Sequence, residues 1–328
     1  MVGVSVIVCS YNRAESLRET IESLVSQSPG CSYEIIVVDN NSKDSTKEVA
    51  QSFNGKVRYV FESKQGLSYA RNKGIGEARG QILAFTDDDV IVDSNWVSSI
   101  FNCFKETRAL AVGGKIERLW NCERPEWLID ELMGPLIVQD LGPARKKWEQ
   151  KNRHMIGANM AFHRMLFKQY GLFKEELGRR GDELIGGEDR ELFRRLFEAK
   201  IPIFYEPKAV VHHKVEKERL TKDYMRQWFW DIGKTLGHQI PWRRARLFTV
   251  APVWVWNNLC SALFRFFKMS FGFRATEAEK FASEIWVRHY FAMVLETFAH
   301  WLPFGFGRGF CIFNRGNRNQ DTENEKQL

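Results

Sequence analysis

Along the first 118 residues, short apolar runs alternate with segments whose apolar positions recur every three or four residues. Residues 4–9 form a run of β-branched character, and Leu17, Ile21, Leu24 and Val25 then fall on one helical face. Asn12 stands where a helix cap is expected. A second buried-strand pattern, residues 34–39, ends at Asp39 and runs into a polar stretch, Asn40 to Ser45. A helix through Val49, a strand at 57–61, a helix around 70–78 and a strand at 82–86 follow. This alternation predicts an α/β fold on a mostly parallel, doubly wound sheet. Ligands in such sheets sit beyond the carboxyl ends of the strands, where Asp39 and Asp87 both fall.

The period breaks after residue 118. Trp120, Pro125, Trp127, Pro135, Pro143 and Trp148 interrupt residues 119–155, which predicts an irregular lid or acceptor loop. Regular pattern returns at 156–162 and in a helix at 188–199, and short strands at 203–205 and 209–213 close the domain. The chain thus reads as one domain over 1–220, in halves 1–118 and 119–220. A helical region rich in aromatic and basic residues, 221–314, and a polar tail, 315–328, expected to be disordered, complete it.

Charge and cysteine content narrow the setting. The net charge is +7, yet residues 214–274 hold twelve Lys/Arg against four Asp/Glu, so the remainder is close to neutral. A basic stretch beside apolar segments suits an anionic membrane surface rather than nucleic acid, with a solvated basic face as the alternative. The six cysteines are scattered without metal-ligand spacing, which suits a reducing compartment. A strand pattern opens the sequence with no basic segment ahead of it, so a cytoplasmic location is expected. Residues 247–264 carry no charge, just short of the roughly 20 residues a spanning helix needs. Basic residues on both flanks favour an in-plane interfacial hairpin, made with the apolar 285–306, over a span or a buried subdomain.

The candidate chemistry lies at the predicted strand ends. Asp87-Asp88-Asp89 follows an apolar strand, and three adjacent carboxylates repel one another unless a divalent cation relieves them. Asp39 is either a contact for a base or ribose or a turn residue. In Ser10-Tyr11-Asn12-Arg13, Tyr11 can stack on a base or belong to the core. Arg71 suits a bidentate phosphate contact or an exposed position. Gly186-Gly187-Glu188-Asp189 opens a helix, and capping explains the acids but not the glycine pair. The signature of cyclic-dinucleotide cyclases is excluded, because Glu188-Asp189-Arg190 does not continue as that family requires. His212 and His213 end an apolar run, where either can ligate a metal or contact phosphate, though most strand-end histidines do neither.

Taken in order, residues 4–13, Val37 to Ser42, Ala70 to Gly74, Phe85 to Asp89, Gly187 to Leu192 and Tyr205 to His213 resemble the successive motifs of family-2 glycosyltransferases with the GT-A fold. The resemblance covers about two thirds of the chain. It implies inverting transfer from a nucleotide-diphosphate sugar to an acceptor hydroxyl on a glycan or lipid-linked precursor. The halves 1–118 and 119–220 become the nucleotide and acceptor sides. Asp189 becomes the general base with Glu188 beside it, and Asp39 a base or ribose contact. Ser10, Tyr11, Asn12, Arg13, Asn41, Arg71, Asp87 and Asp88 become donor contacts. Asp87, Asp89 and His213 become ligands of Mg2+ or Mn2+. Processive relatives carry Gln-x-x-Arg-Trp, whereas Gln227-Trp228-Phe229-Trp230 lacks the arginine, which implies one sugar per encounter. Work at the cytoplasmic face of a membrane, as a peripheral protein, completes the expectation. The rivals are a nucleotidyltransferase, which would want a glycine-rich loop after the first strand, and a non-catalytic sugar or nucleotide binder.

Overall fold

The computed structural model describes residues 3–149, 153–181, 186–238, 240, 251–272 and 275–301, without the side chains of the last two. The first apolar run becomes β1 (Val4–Ser10), which pairs in parallel with β2 (Tyr33–Asp39) and β4 (Ile82–Asp87). β3 (Val57–Phe61) joins β2, also in parallel. The helices α1 (Ala14–Val25), α2 (Thr46–Gln51) and α3 (Leu67–Glu77) make the crossovers. Alternation along β1 divides its side chains between two layers. Val4, Val6 and Val8 meet Leu17, Ile21 and Leu24 on one face, while Ile7 meets Ala70 and Ile75 on the other. α3 comes unusually close, because a Cβ on Gly74 would lie 2.5 Å from Cγ2 of Ile7.

Beyond β4 the sheet is mixed. β8 (Met160–His163) runs antiparallel to β4 and to β6 (Ala111–Trp120). β9 (Ile203–Val215) is parallel to β6 and antiparallel to β5 (Val90–Val92) and β7 (Lys146–Lys147). The parallel, doubly wound pattern therefore spans four strands, in an overall order β3-β2-β1-β4-β8-β6-β9-β5. The two short closing strands expected from sequence are one strand, β9. Its register against β6 jumps from Gly114↔Glu206 to Lys115↔Val210, so Pro207, which has no N–H to give, escapes the ladder. The stretch 119–155, expected to be an irregular lid or acceptor loop, packs against the sheet in its described residues. Gln139 exchanges backbone hydrogen bonds of 2.8 and 3.1 Å with Ile116, and Leu128, Leu132, Leu136 and Trp148 are buried. α4 (Trp96–Glu106), α5 (Met165–Tyr170) and α6 (Glu188–Glu198) complete the layers. Asn12 is not a cap, since α1 starts after Arg13 and the amide of Ala14 donates to Asp44 Oδ2 at 2.9 Å.

The chain divides into two compact units, residues 1–221 and 222–328. The second holds α7 (Lys222–His238), α8 (Val253–Phe271) and α9 (Glu277–Trp301). Gly233 and Gly237 let α7 lie against the backbone of α9, where added Cβ atoms would fall 2.4 and 2.6 Å from the carbonyls of His289 and Met293. The charge-free stretch is not a helix of its own: α8 begins at Val253 and continues through Arg265 and Lys268. α9 likewise starts before the apolar stretch, at Glu277. Among the described residues no helix is long and apolar enough to cross a membrane. Residues 247–250 and the tail 315–328 lie outside the described residues.

Candidate active site

Strand register assembles the acidic group. Ser10 lies opposite Asp39, and Cys9 lies opposite Asp87, so three parallel strands end on one edge. The chain then turns through Asp88 and Asp89 into β5, where Val90 pairs with His213. The Lys214 amide donates to the Asp89 carbonyl at 3.0 Å, fixing that turn against β9. One ligand atom each from Asp87, Asp89 and His213 consequently lies within 4.8 Å of the others.

The hydrogen bonding of Asp89 is lopsided. Its Oδ2 accepts from Arg13 Nη1 at 2.6 Å and from Arg219, whereas its buried Oδ1 has no hydrogen-bond partner. His213 Nε2 stands 3.4 Å from that Oδ1. His213 Nδ1 is 3.1 Å from the Lys214 carbonyl, which can only accept, so Nδ1 donates and Nε2 is the nitrogen aimed at Asp89. A proton on Nε2 pairs it with Asp89 Oδ1, whereas a cation in the proton's place would draw on Asp87 as well. The donor set of two carboxylates and one imidazole fits a divalent ion. Burial alone would raise Asp89, but His213, Arg219 and Arg13 outweigh it and hold the carboxyl well below the usual range. Burial instead pushes Asp88 up to about 6, against the pull of Arg13 and a 2.7 Å hydrogen bond from Ser10 Oγ.

A second group lies one arginine away. Gly187, at φ 95°, turns the chain into α6 and presents Glu188 and Asp189 in its first turn. Glu188 Oε1 accepts from Arg71 Nη1 at 2.6 Å, and Arg71 Nη2 is 3.7 Å from Asp87 Oδ1. Arg71 is only 3% exposed, which removes the surface-arginine alternative. Its guanidinium rests over the Phe173 ring and against Gly157, where a Cβ would lie 2.2 Å from Nη2. Burial pushes the Glu188 carboxyl above its ordinary value, Asp189 adds to this and Arg71 opposes it. Asp189 is held by amides: Oδ2 accepts from Gly157 at 3.1 Å and Oδ1 from Arg190 at 2.7 Å, and its side chain is 15% exposed against 7% for Glu188.

The remaining candidates form the rim. Asp39 is buried, accepting from the Ser42 amide at 2.9 Å and the Tyr59 hydroxyl at 2.8 Å. Asn12 and Asn41 both adopt positive φ, 52° and 65°, a region asparagine tolerates. Asn12 clasps the neighbouring loop, its Oδ1 accepting the Lys43 amide at 2.7 Å and its own amide donating to Ser42 Oγ at 3.0 Å. Tyr11 is half-buried on the same loop, so it is not a core residue. A hollow of about 520 Å³ beside Asp39 is lined by Ser42, Lys43, Lys47, Tyr59 and Phe61 but by none of the residues 87–89. His212 turns away from the cluster, 3.5 Å from Glu117.

Two residues were not singled out by the sequence. Arg219 reaches Asp89 from a short turn, Lys217–Leu220, and nothing in one dimension distinguishes it from its basic neighbours. His154 Nε2 lies 3.8 Å from Asp189 Oδ1, and burial lowers its pKa although Asp189 raises it. It sits in the aperiodic stretch, where only the fold could pair it with an acid 35 positions later.

Comparison with known proteins bears on this geometry. The model of the family described as Glycosyl transferase family 2 matches residues 5–171. The glucosyl-dolichyl phosphate glucuronosyltransferase of Haloferax volcanii is 28% identical over 228 residues, covering 68% of this chain and 72% of that protein. The succinoglycan biosynthesis protein ExoM of Rhizobium meliloti is 26% identical over 242 residues, covering 71% and 74%. Among solved structures, S. aureus TarS 1-349 in complex with UDP-GlcNAc superposes with a TM-score of 0.51 at 17% identity, covering 82% of this chain and 73% of that one. GalNAc-T7 with UDP, GalNAc and Mn2+ gives the same TM-score of 0.51 at 19% identity, covering 74% and 52%. These structural likenesses speak to the fold.

Proposed function

The chain belongs to glycosyl transferase family 2 and is a glycosyltransferase, and from that premise we propose an inverting, single-displacement transfer from a nucleotide-diphosphate sugar to an acceptor hydroxyl. The observation that carries the reading is the Arg71 bridge, 2.6 Å from Glu188 and 3.7 Å from Asp87, which sets the Asp189 side of the cleft beside the Asp87–Asp89–His213 group. In this reading Asp87, Asp89 and His213 hold Mg2+ or Mn2+. The chemistry supplied by such an ion, when bound, is neutralisation of the diphosphate as the sugar leaves. Arg13 keeps Asp89 ionised and oriented, and Ser10 and Asp88 brace it. Tyr11, Asn12, Asp39 and Asn41 line the nucleotide side, Asp39 meeting base or ribose through lone pairs left beside its two internal donors. Arg71 braces Glu188 and contributes positive charge toward the diphosphate.

Asp189 takes the proton of the attacking hydroxyl, its carboxylate oriented by the Gly157 amide. Orientation of two substrates in line supplies much of the remaining advantage. A lipid-linked acceptor draws support from the Haloferax relative, whose name specifies a dolichyl phosphate-linked sugar. A polysaccharide precursor draws support from the Rhizobium one. Non-processive transfer at the cytoplasmic face of a membrane, with the protein peripheral to it, belongs to the same proposal.

The test is Asp189→Asn. Donor affinity is expected to persist while transfer falls by about 10² to 10⁴, and the wild-type product should carry the inverted anomeric configuration by NMR. Retained configuration would overturn the single displacement. Matching loss of donor affinity in Asp189→Asn would move this residue to the donor site instead.

A further inference from the structure

The second unit buries part of its apolar surface and leaves several large apolar side chains exposed. Of the large hydrophobic side chains left exposed among the described residues, Val253, Trp254, Phe264, Phe267 and Phe271 belong to α8, and Phe291, Leu295 and Phe298 to α9. On α8 these follow a regular rule. Val255, Leu259 and Ala262 are buried, while Trp254, Asn257, Ser261, Phe264, Lys268 and Phe271 are exposed at steps of three or four. Such spacing places them in one line along the helix, about 26 Å from Trp254 to Phe271 at the α-helical rise. Phe264 is 73% exposed and Phe271 80%, far beyond what a soluble helix face ordinarily leaves in water.

Charge identifies the occupant. Among its described residues α8 carries Arg265 and Lys268 and no Asp/Glu. A second copy of this face would set Lys268 against a basic helix with no acid of its own to answer it, which disfavours self-association. A bilayer bearing anionic headgroups accepts both features, rings below the headgroups and cations among them. α8 cannot leave that plane by spanning, since no described helix is long and apolar enough.

We propose that the outward line of α8 lies in the plane of an anionic lipid bilayer, with Trp254, Phe264, Phe267 and Phe271 inserted and Lys268 at headgroup level. This deepens, and rests on, the membrane-surface part of the proposed function, by naming the face that meets the lipid. Transfer chemistry does not depend on it. The surface would hold the enzyme where an acceptor on a lipid carrier is already concentrated.

The test uses the full-length protein and vesicles of phosphatidylcholine with or without phosphatidylglycerol. Cys260 is exposed on the same helix, and an environment-sensitive fluorophore placed there reports insertion, with Cys260→Ser correcting for labelling elsewhere. The expected result is cosedimentation and a blue-shifted probe with phosphatidylglycerol vesicles only, reversed by high salt. Phe264→Ser with Phe271→Ser should weaken binding roughly tenfold, and Lys268→Glu by about fivefold or more, with far-UV circular dichroism unchanged. Metal-dependent cleavage of the donor, measured without vesicles, should match wild type in every variant. Absence of vesicle binding, or equal binding to both vesicle types, overturns the proposal. So does a probe already shielded before lipid is added, which would assign the face to another part of this chain. A dimer that the phenylalanine substitutions convert to monomer would assign it to a second copy and overturn the proposal equally. Failure of vesicle binding with donor cleavage intact leaves the catalytic reading standing. Failure of cleavage with vesicle binding intact does the reverse.

Discussion

Replacing Arg71 by methionine removes one charge from a pair that water cannot reach. The Arg71 and Glu188 side chains are 4% and 7% exposed and meet at 2.6 Å. An exposed pair of this kind would be worth about 0–1 kcal/mol. Here the surviving carboxylate stays buried beside Asp189, so the loss belongs to the range of broken buried pairs, about 3–5 kcal/mol. Methionine refills part of the volume over Phe173 and keeps the cavity contribution small. Neutralising the orphan should then help: Arg71→Met with Glu188→Gln is expected to recover roughly half of the loss or more. Burial already raises the Glu188 carboxyl in the native protein, and losing Arg71 raises it further. The folded state then keeps a proton that the unfolded state has released. Stability therefore falls as pH climbs from the unfolded value of about 4.3 to the folded one and levels off above it. The penalty of Arg71→Met, taken against wild type at each pH, should be smallest at acid pH. Hydrogen exchange in graded urea, read on peptides from β1 and α3, isolates the first unit. A penalty below about 1 kcal/mol, no recovery in the double variant, or a penalty that grows on acidification would each refute the reasoning.

Two further outcomes follow from the same geometry. Asp89→Asn keeps shape and hydrogen bonds but removes the anionic oxygen facing His213; calorimetry should find donor binding that no longer tightens with manganese, and undiminished metal dependence would count against the ligand assignment. Gly74→Ala sets two effects in opposition: helix propensity favours alanine by about 1 kcal/mol, but the new Cβ would fall 2.5 Å from Ile7 and 3.2 Å from Val38. Overpacking of about 1–3 kcal/mol should win, and a raised melting temperature would show that α3 has room to move away from β1.

What was legible in the chain depended on how far apart the interacting residues lie. β1, β2 and β4 are continuous apolar runs whose register is local in its consequences, so their ends, with Ser10, Asp39 and Asp87, could be read directly. β6 could not. Its Gly113-Gly114 pair resembles a turn, yet both glycines exist for neighbours far along the chain: a Cβ at 113 would meet Trp148 at 2.7 Å, and one at 114 would meet the Ala209 carbonyl and Asn159 at 2.3 Å. Arg219 was invisible for the same reason, since burial of a charge is decided by the 130-residue separation that brings it to Asp89. The helical unit was legible in kind but not in bounds, because α8 runs past the charges that seemed to end it.

The acidic motifs share a logic that no pattern of letters carries. Each sets two carboxylates side by side, and the surroundings give the two different duties. In Asp88-Asp89 the first is engaged by Ser10 and lies near Arg13, while the second keeps a buried oxygen with no hydrogen-bond donor. In Glu188-Asp189 the first is held by Arg71, and the second retains more exposure and is held by backbone amides, Gly157 on Oδ2 and Arg190 on Oδ1. A carboxylate oxygen already held by a fixed donor has less to gain from a passing ligand than one without a donor, and Asp89 gives Oδ2 to Arg13 and Arg219 but keeps Oδ1 open. The oxygen without a donor, or held only by a neutral amide, is the one whose state a substrate can change. By that argument the proposed cation binding falls to Asp89 through Oδ1 rather than to Asp88, and the proposed base role to Asp189, held by amides, rather than to Glu188, held by Arg71.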